Sequence, residues 1–272
     1  MSLLDVSGVV LNRRDVREDS RLYIVYTHER GKVEVFGRGI RKGSAKLGGH
    51  LEPGATVRLT LAQGKSGETI TAVERDHYPA ATMQSLSRLA SLGFVLGLVD
   101  ALTKTEAADP ALATFLQESV NIIEAFAEPS NHFARFRMWF AWHVLGLTGV
   151  GPELDRCVHC RRALPQTHVT FSALLGGWLG PECKSADADA TAAPGAAGQD
   201  ADATVVSATV RDCVHVLVRG SWAEAFAYVA TPGTEQVAAR LTRSALDHAL
   251  ERRLPAERFV AFVRTLSVPY TA

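Results

Sequence analysis

This sequence is poor in the features that would place it in several large classes. Four cysteines in 272 residues are too few for the disulfide framework of a small secreted domain. Charge of either sign is not in excess: 29 Lys and Arg stand against 29 Asp and Glu, for a formal net charge of zero. A chain coated in positive charge is thereby excluded, although a local basic face is not. Long apolar runs are missing as well. The longest stretches, such as MWFAWHVLGL, fall short of a bilayer span. The opening MSLLDVSGVVLNRRDVRED has no basic region ahead of an apolar run, so no signal peptide is expected. No G-x-x-x-x-G-K-[ST] loop, no H-E-x-x-H pair and no two-metal carboxylate cluster is found, so no enzyme class is indicated. A cytoplasmic protein with reduced thiols is the expectation.

What is present is enough apolar residue, 47%, for a sizeable core or two. The first eighty residues read as strands. VSGVVLNRRDV and RLYIVYTHER are rich in β-branched and aromatic residues. GKVEVFGRGI alternates with period two and nominates Val33, Val35 and Ile40 for an inner face. GATVRLTLAQGKSGETITAVERDH reads as a hairpin turning at GKSG. About five short strands with glycine-rich turns suggest a small closed barrel, of which the OB-fold is the five-stranded form.

From about residue 81 the period lengthens. Leu86, Leu89, Leu92, Val95, Leu96, Val99 and Leu102 recur at helical spacing on a wide apolar face. DPALATFLQESVNIIEAFAEPS opens with Asp109 as an N-cap and Pro110 in the first turn, and it ends before Pro129. SNHFARFRMWFAWHVLGLTGV predicts a third, aromatic helix ending near Gly149. Helical pattern returns at VSATVRDCVHVLVRG and GTEQVAARLTRSALDHALERRL, and weakly at ERFVAFVRTL. Residues 185–203 are Ala, Asp, Gly and Pro with almost no apolar bulk, the composition of a disordered loop. The expected fold is therefore α+β and multidomain. An OB-fold barrel over 1–79 precedes an all-α domain over 80–272, with a zinc-ribbon-like cysteine knuckle embedded at 157–183.

Two constellations carry chemistry. The first is basic. Arg30, Lys32, Arg38, Arg41, Lys42 and Lys46 face only Glu29 and Glu34 in that stretch, and Arg13, Arg14 and Arg17 precede them. RGIRKGSAKLGG mixes cations with Gly and Ser, so its backbone can approach a polyanion. Cations that track phosphates and aromatics that stack bases make a sequence-independent single-strand binder. Tyr23, Tyr26 and Phe36 are the aromatic candidates, though they fit a barrel core equally. The same charges also suit a merely solvated surface.

The second is Cys157-Val158-His159-Cys160 followed by Cys183. The C-x-x-C spacing lets two thiolates meet one ion, and a further twenty-odd residues is an ordinary gap to a second knuckle. A second C-x-x-C would need a cysteine at 180, where Gly180 stands. His168 and Cys213 are the leading substitutes for the fourth ligand, with His159, Glu182 or water also open. Cys213, however, shares a helical face with Val210, Val214 and Leu217, as a core residue would. A site that has lost its ion remains a further alternative.

The order of these parts resembles the RecO family of bacterial DNA repair and recombination mediators. The resemblance rests on THERGKVEVFGRGIRKGSAKLGGHLEPG (Thr27 to Gly54), with its G-x-x-K-x-S and L-x-P segments. It rests also on VLGLTGVGPELDRCVHC and on FSALLGGWLGPEC, which matches the family pattern except at Gly180. The resemblance implies a non-enzymatic protein that binds single- and double-stranded DNA and anneals complementary strands. With RecR it helps RecA load on DNA covered by single-strand-binding protein, whose acidic C-terminal tail it contacts. Carried onto this chain, Arg13, Arg14, Lys32, Arg38, Arg41, Lys42 and Lys46 are the expected DNA contacts. Cys157, Cys160 and Cys183 are the expected Zn2+ ligands. Arg135 and Arg137, beside Phe133 and Phe136, are cations suited to the tail. A scaffold that binds partner proteins with little DNA affinity of its own is the competing expectation.

Overall fold

The computed structural model describes residues 3–17, 20–38, 48–64, 67–126, 132–184 and 203–250. These divide into two compact units, one up to Phe133 and one from Ala134.

The first unit is built on five strands. They are β1 (Leu3–Arg17), β2 (Ser20–Thr27), β3 (Gly31–Gly37), β4 (Thr56–Gly64) and β5 (Gly67–His77), closed in the order β1-β2-β3-β5-β4. β1 is long enough to pair antiparallel with both β2 and β4. A register shift between Val10 and Asn12 lets it bend from one partner to the other. Parallel pairing of Phe36 with Thr69 closes the barrel between β3 and β5. This is the connectivity of an OB-like barrel.

Alternation fills its interior. Val6, Val10, Tyr23, Val25, Val33, Val35, Val57, Leu59, Leu61 and Ile70 form one buried cluster, so Val33 and Val35 do face inward. Ile40 lies outside the described residues. Gly8 is required where β1 crosses β2, because a Cβ there would sit 2.0 Å from the Tyr26 carbonyl oxygen. The hairpin at GKSG is present, with Gly64 paired to Gly67.

Among the described residues three α-helices join this unit: α1 (Ala80–Met83), α2 (Leu86–Leu102) and α3 (Pro110–Ala125). α2 packs on β1, and α3 packs on β1 and β2. These helices explain why Val9, Ile24 and Tyr26, which point outward on their strands, are nonetheless buried. Asp109 caps α3 as its sequence suggests: Oδ1 accepts from the backbone N–H groups of Ala111 and Leu112, both at 3.0 Å. Glu124, near the end of α3, ties the parts together. Its carboxylate accepts from Ala81 N at 3.1 Å and lies 2.7 Å from His77 Nε2 at the end of β5.

The second unit takes nearly all of α4 (Phe133–Leu147), then β6 (Val169–Ser172), β7 (Gly177–Leu179), α5 (Pro181–Lys184), β8 (Thr204–Val206), α6 (Ala208–Arg219), α7 (Trp222–Ala227) and α8 (Pro232–Ala249). A small antiparallel sheet of order β7-β6-β8 sits among the helices, and α6 packs on α8. Aromatic rings form the core: Trp142 meets Phe171 edge-on, Phe171 meets Trp178, and Trp139 donates to the Gly220 carbonyl at 2.9 Å. Gly149, at φ +79°, ends the α4 segment where the sequence places its stop. The loop expected over 185–203 falls outside the described residues except for Ala203, and ERFVAFVRTL falls outside them entirely.

Candidate nucleic-acid interface and cysteine cluster

The seven nominated barrel cations do not share one environment. Arg41, Lys42 and Lys46 lie outside the described residues. Lys32 points outward on β3, but its Nζ donates to the Asp100 carbonyl at 2.6 Å and sits 3.3 Å from the Asp100 carboxylate. With 12% of its side chain exposed, it anchors the barrel to the end of α2. The backbone repeats that anchorage, since Glu106 N donates to the Lys32 carbonyl at 2.8 Å. Arg13 pairs with Glu52. Its neighbours are similarly committed: Arg30 forks onto Glu68 at 2.7 and 2.8 Å and also meets Glu106.

Arg14 and Arg38 differ. Both are exposed, and among the described residues no carboxylate pairs with either. Strand register brings them to the same end of the barrel. Arg14 is opposite Leu22, Leu22 is opposite Phe36, and Arg38 follows Gly37, the last residue of β3. Residues directly opposite on neighbouring strands share a face. Arg14, Leu22 and Phe36 thus form an outward row across three strands, half-buried at Leu22 and Phe36. The tip of the β4–β5 hairpin borders it, since a Cβ on Gly67 would lie 3.1 Å from the Phe36 ring and one on Gly64 would lie 3.7 Å from the Arg38 guanidinium.

This settles the aromatic candidates. Tyr23 is inside the barrel and Tyr26 is beneath the helices, at 0% and 1% exposure. Burial, with the charge of Asp109 adding to it, pushes the Tyr26 phenol up to about 12. Phe36 alone of the three is on an open face. The strand alternation already separates Tyr23 from Phe36. Tyr26 needed the helices to be placed.

In the second unit the cysteines converge as their spacing predicts. The Sγ atoms of Cys157, Cys160 and Cys183 all lie within 4.8 Å of one another. The first knuckle is a tight turn. Cys157 N donates to the Arg162 carbonyl and Arg161 N donates to the Cys157 carbonyl, both at 2.9 Å, with Arg161 in the left-handed region at φ +62°. Gly180 N donates to Cys157 Sγ at 3.4 Å, and Cys183 N returns to the Gly180 carbonyl at 3.0 Å. Cys157 and Cys183 are buried and Cys160 is exposed.

Electrostatics express the crowding of three thiols. Burial raises the Cys157 thiol, but N–H groups of Cys160, Gly180 and His159 aimed at its sulfur outweigh that and bring it down to about 7. Cys183 is pushed up to about 12 by its hydrogen bond to Cys160, by burial and by the charge on Cys157. The cluster stabilises one thiolate and resists the next, and a bound cation relieves such a conflict. A tetrahedral ion about 2.3 Å from each sulfur would set the sulfurs about 3.8 Å apart, which the cluster can accommodate. These cysteines could hold a metal ion.

Neither leading candidate for the fourth ligand joins them. Cys213 lies on the buried face of α6, where burial pushes its thiol up to about 11, and His168 is exposed outside the group. Arg135 is likewise bound internally: it pairs with Glu235, and its Nη1 donates to the Tyr228 carbonyl at 2.6 Å. Phe133 and Phe136 are core residues at 6% and 0% exposure.

Comparison with known proteins agrees with this architecture. Residues 1–77 match the family model for the N terminus of recombination protein O, and residues 83–258 match that for its C terminus. A DNA repair protein RecO of Anaeromyxobacter sp. is 30% identical over 263 residues, spanning 94% of this chain and 95% of its own. That of Frankia casuarinae is 31% identical over 178 residues, spanning 65% and 72%. That of Symbiobacterium thermophilum is 29% identical over 185 residues, spanning 67% and 72%. With both models matched in order, and one relative aligned along nearly the whole length, the chain belongs to the RecO family.

Proposed function

We propose that this chain is a DNA-binding mediator of recombinational repair whose DNA contact runs along the open end of the barrel. The observation that carries the reading is the outward row Arg14–Leu22–Phe36 with Arg38 beside it. Two exposed cations can follow phosphates, and Phe36 offers an aromatic surface between them. Arg38 leads directly into the segment that holds Arg41, Lys42 and Lys46. Arg13 and Lys32, held by Glu52 and Asp100, have structural roles instead.

Both single- and double-stranded DNA present the phosphates such a face would follow, and annealing two strands on it requires no bond to be made or broken. The proposed role is therefore non-enzymatic. The proposed partners are RecR, the acidic tail of single-strand-binding protein and, indirectly, RecA, in the cytoplasm at the nucleoid. No helix among the described residues is long and apolar enough to cross a membrane.

For the cysteines the proposed ion is Zn2+, held by Cys157, Cys160 and Cys183. Once bound, it would cross-link the Cys157 turn to α5, which carries Cys183. Gly180 N–H, already directed at Cys157 Sγ, would support the thiolate charge there.

The internal pairing of Arg13, Arg30 and Lys32 favours a second reading, a scaffold that binds proteins and touches DNA little. A titration of single-stranded oligonucleotide at several salt concentrations separates the two. The double variant Arg14→Glu, Arg38→Glu loses affinity, and its slope of log affinity against log salt falls by about 1.4, at roughly 0.7 per single-strand phosphate contact. A variant that binds as the native chain does would favour the scaffold.

A further inference from the structure

We infer that the cysteine cluster is an open metal site, whose fourth position takes an exchangeable donor from outside the chain, namely water or a small monodentate thiol or imidazole. The inference rests on the zinc reading above and concerns what that reading leaves incomplete.

Closed structural zinc sites use four protein ligands, whereas sites with three keep a position for water or another ligand. Here the count stops at three. Among the described residues no further His, Cys, Asp or Glu atom joins the three sulfurs. All four cysteines and all nine histidines of the chain are among the described residues, so the remainder of the sequence holds no further thiol or imidazole ligand. Cys213 is in the α6 core and His168 is apart from the group. Gly180, where a second C-x-x-C would place its first thiol, is next to the cluster through its N–H on Cys157 Sγ. Apart from its two chain neighbours, no atom of the described residues lies within 4 Å of a Cβ built on Gly180, so no described group has filled the room left by the missing side chain.

The cluster also reaches solvent. Cys160 is exposed while Cys157 and Cys183 are buried, so a bound ion has protein on one side and water on the other. Arg161 and Arg162 are exposed beside it, each within 3.5 Å of a carboxylate, on Glu153 and Glu182 respectively. Three thiolates and a divalent ion carry one net negative charge, and each flanking guanidinium is balanced by its carboxylate, so the site favours a neutral fourth donor. Such a donor can enter by replacing water, with no change in the protein fold.

Cobalt(II) substitution of the full-length protein tests this, because its d–d bands report the number and kind of ligands. The metal-free protein with one equivalent of cobalt(II) should show thiolate charge-transfer absorption. Its d–d bands should shift saturably when imidazole or 2-mercaptoethanol is added. Gly180→Cys should show a four-thiolate spectrum that neither compound moves, and it should retain zinc against a chelator concentration that strips the native chain. Charge-transfer bands with d–d bands that stay fixed in the native protein would mean that the chain closes the site itself, for instance with a carboxylate, and would overturn the inference alone. Absence of charge-transfer bands would overturn the zinc reading and the inference with it.

Discussion

Arginines that look alike in the sequence have separate fates, decided by which acidic group the fold delivers to each. Arg13, Arg14, Arg30, Arg38 and Arg135 all read in the linear chain as cations available to an anionic partner. Glu52 reaches Arg13 from 39 positions away, Glu68 reaches Arg30 from 38, and Glu235 reaches Arg135 from 100. Such pairings are non-local, so the basic stretch was legible as a whole while its available members were not. The thiols show the opposite case, because C-x-x-C is a local geometric statement and the gap to Cys183 is one short excursion. Histidine is the residue on which pH acts. His143 is half-buried, and its Nδ1 lies 3.0 Å from the Trp139 carbonyl oxygen. Burial lowers its pKa below the ordinary 6.5, against the pull of backbone carbonyls at Trp139 and Leu217. The unfolded chain therefore binds the proton more readily than the folded one. His143 contributes its full stability above the unfolded value and loses it as pH falls toward the folded value. Thermal melts should show stability dropping as the pH falls through the ordinary value of 6.5, with a smaller drop in His143→Leu. An equal drop in both proteins would assign the effect to other groups.

At the scale of elements, length and period decide what can be read. The five barrel strands run seven to fifteen residues, and those of mixed exposure alternate visibly. α2 and α3 announce themselves by spacing and by the Asp109–Pro110 start. Asp109→Ala leaves the N–H groups of Ala111 and Leu112 without their acceptor, and should cost about 1 kcal/mol in denaturant unfolding. Asp109→Asn should recover most of that loss, whereas equal losses in both variants would mean that charge rather than capping matters. The sheet of β6, β7 and β8 was not legible. Its strands have four, three and three residues, too few to establish a period, and every residue of β6 and β7 is buried, so even Thr170 and Ser172 mark no exposed face. α7, at six residues, is shorter than two helical turns and gives no usable repeat. The knuckle between C-x-x-C and Cys183 was therefore anticipated, but the sheet that supports it was not.

At the scale of the whole chain, the barrel and a helical part are recognisable from the change of period near residue 81. The packing partner of the first helices is not, because a wide apolar face looks the same whether it meets a barrel or other helices. The two family models meet between residues 77 and 83. The compact unit continues to Phe133, since α2 and α3 cover the outward side chains Val9, Ile24 and Tyr26. A fragment ending at Pro79 would present those side chains to water, along with a Lys32 amine that has lost Asp100. Size-exclusion chromatography should find that fragment self-associated, and a fragment ending at Phe133 monomeric with a cooperative melt. A monomeric, cooperatively melting short fragment would show that the helices are dispensable. The boundary by which the family is divided thus runs through the interior of a compact unit, so exchanging barrels between relatives at that point would separate the strands from the helices that cover them.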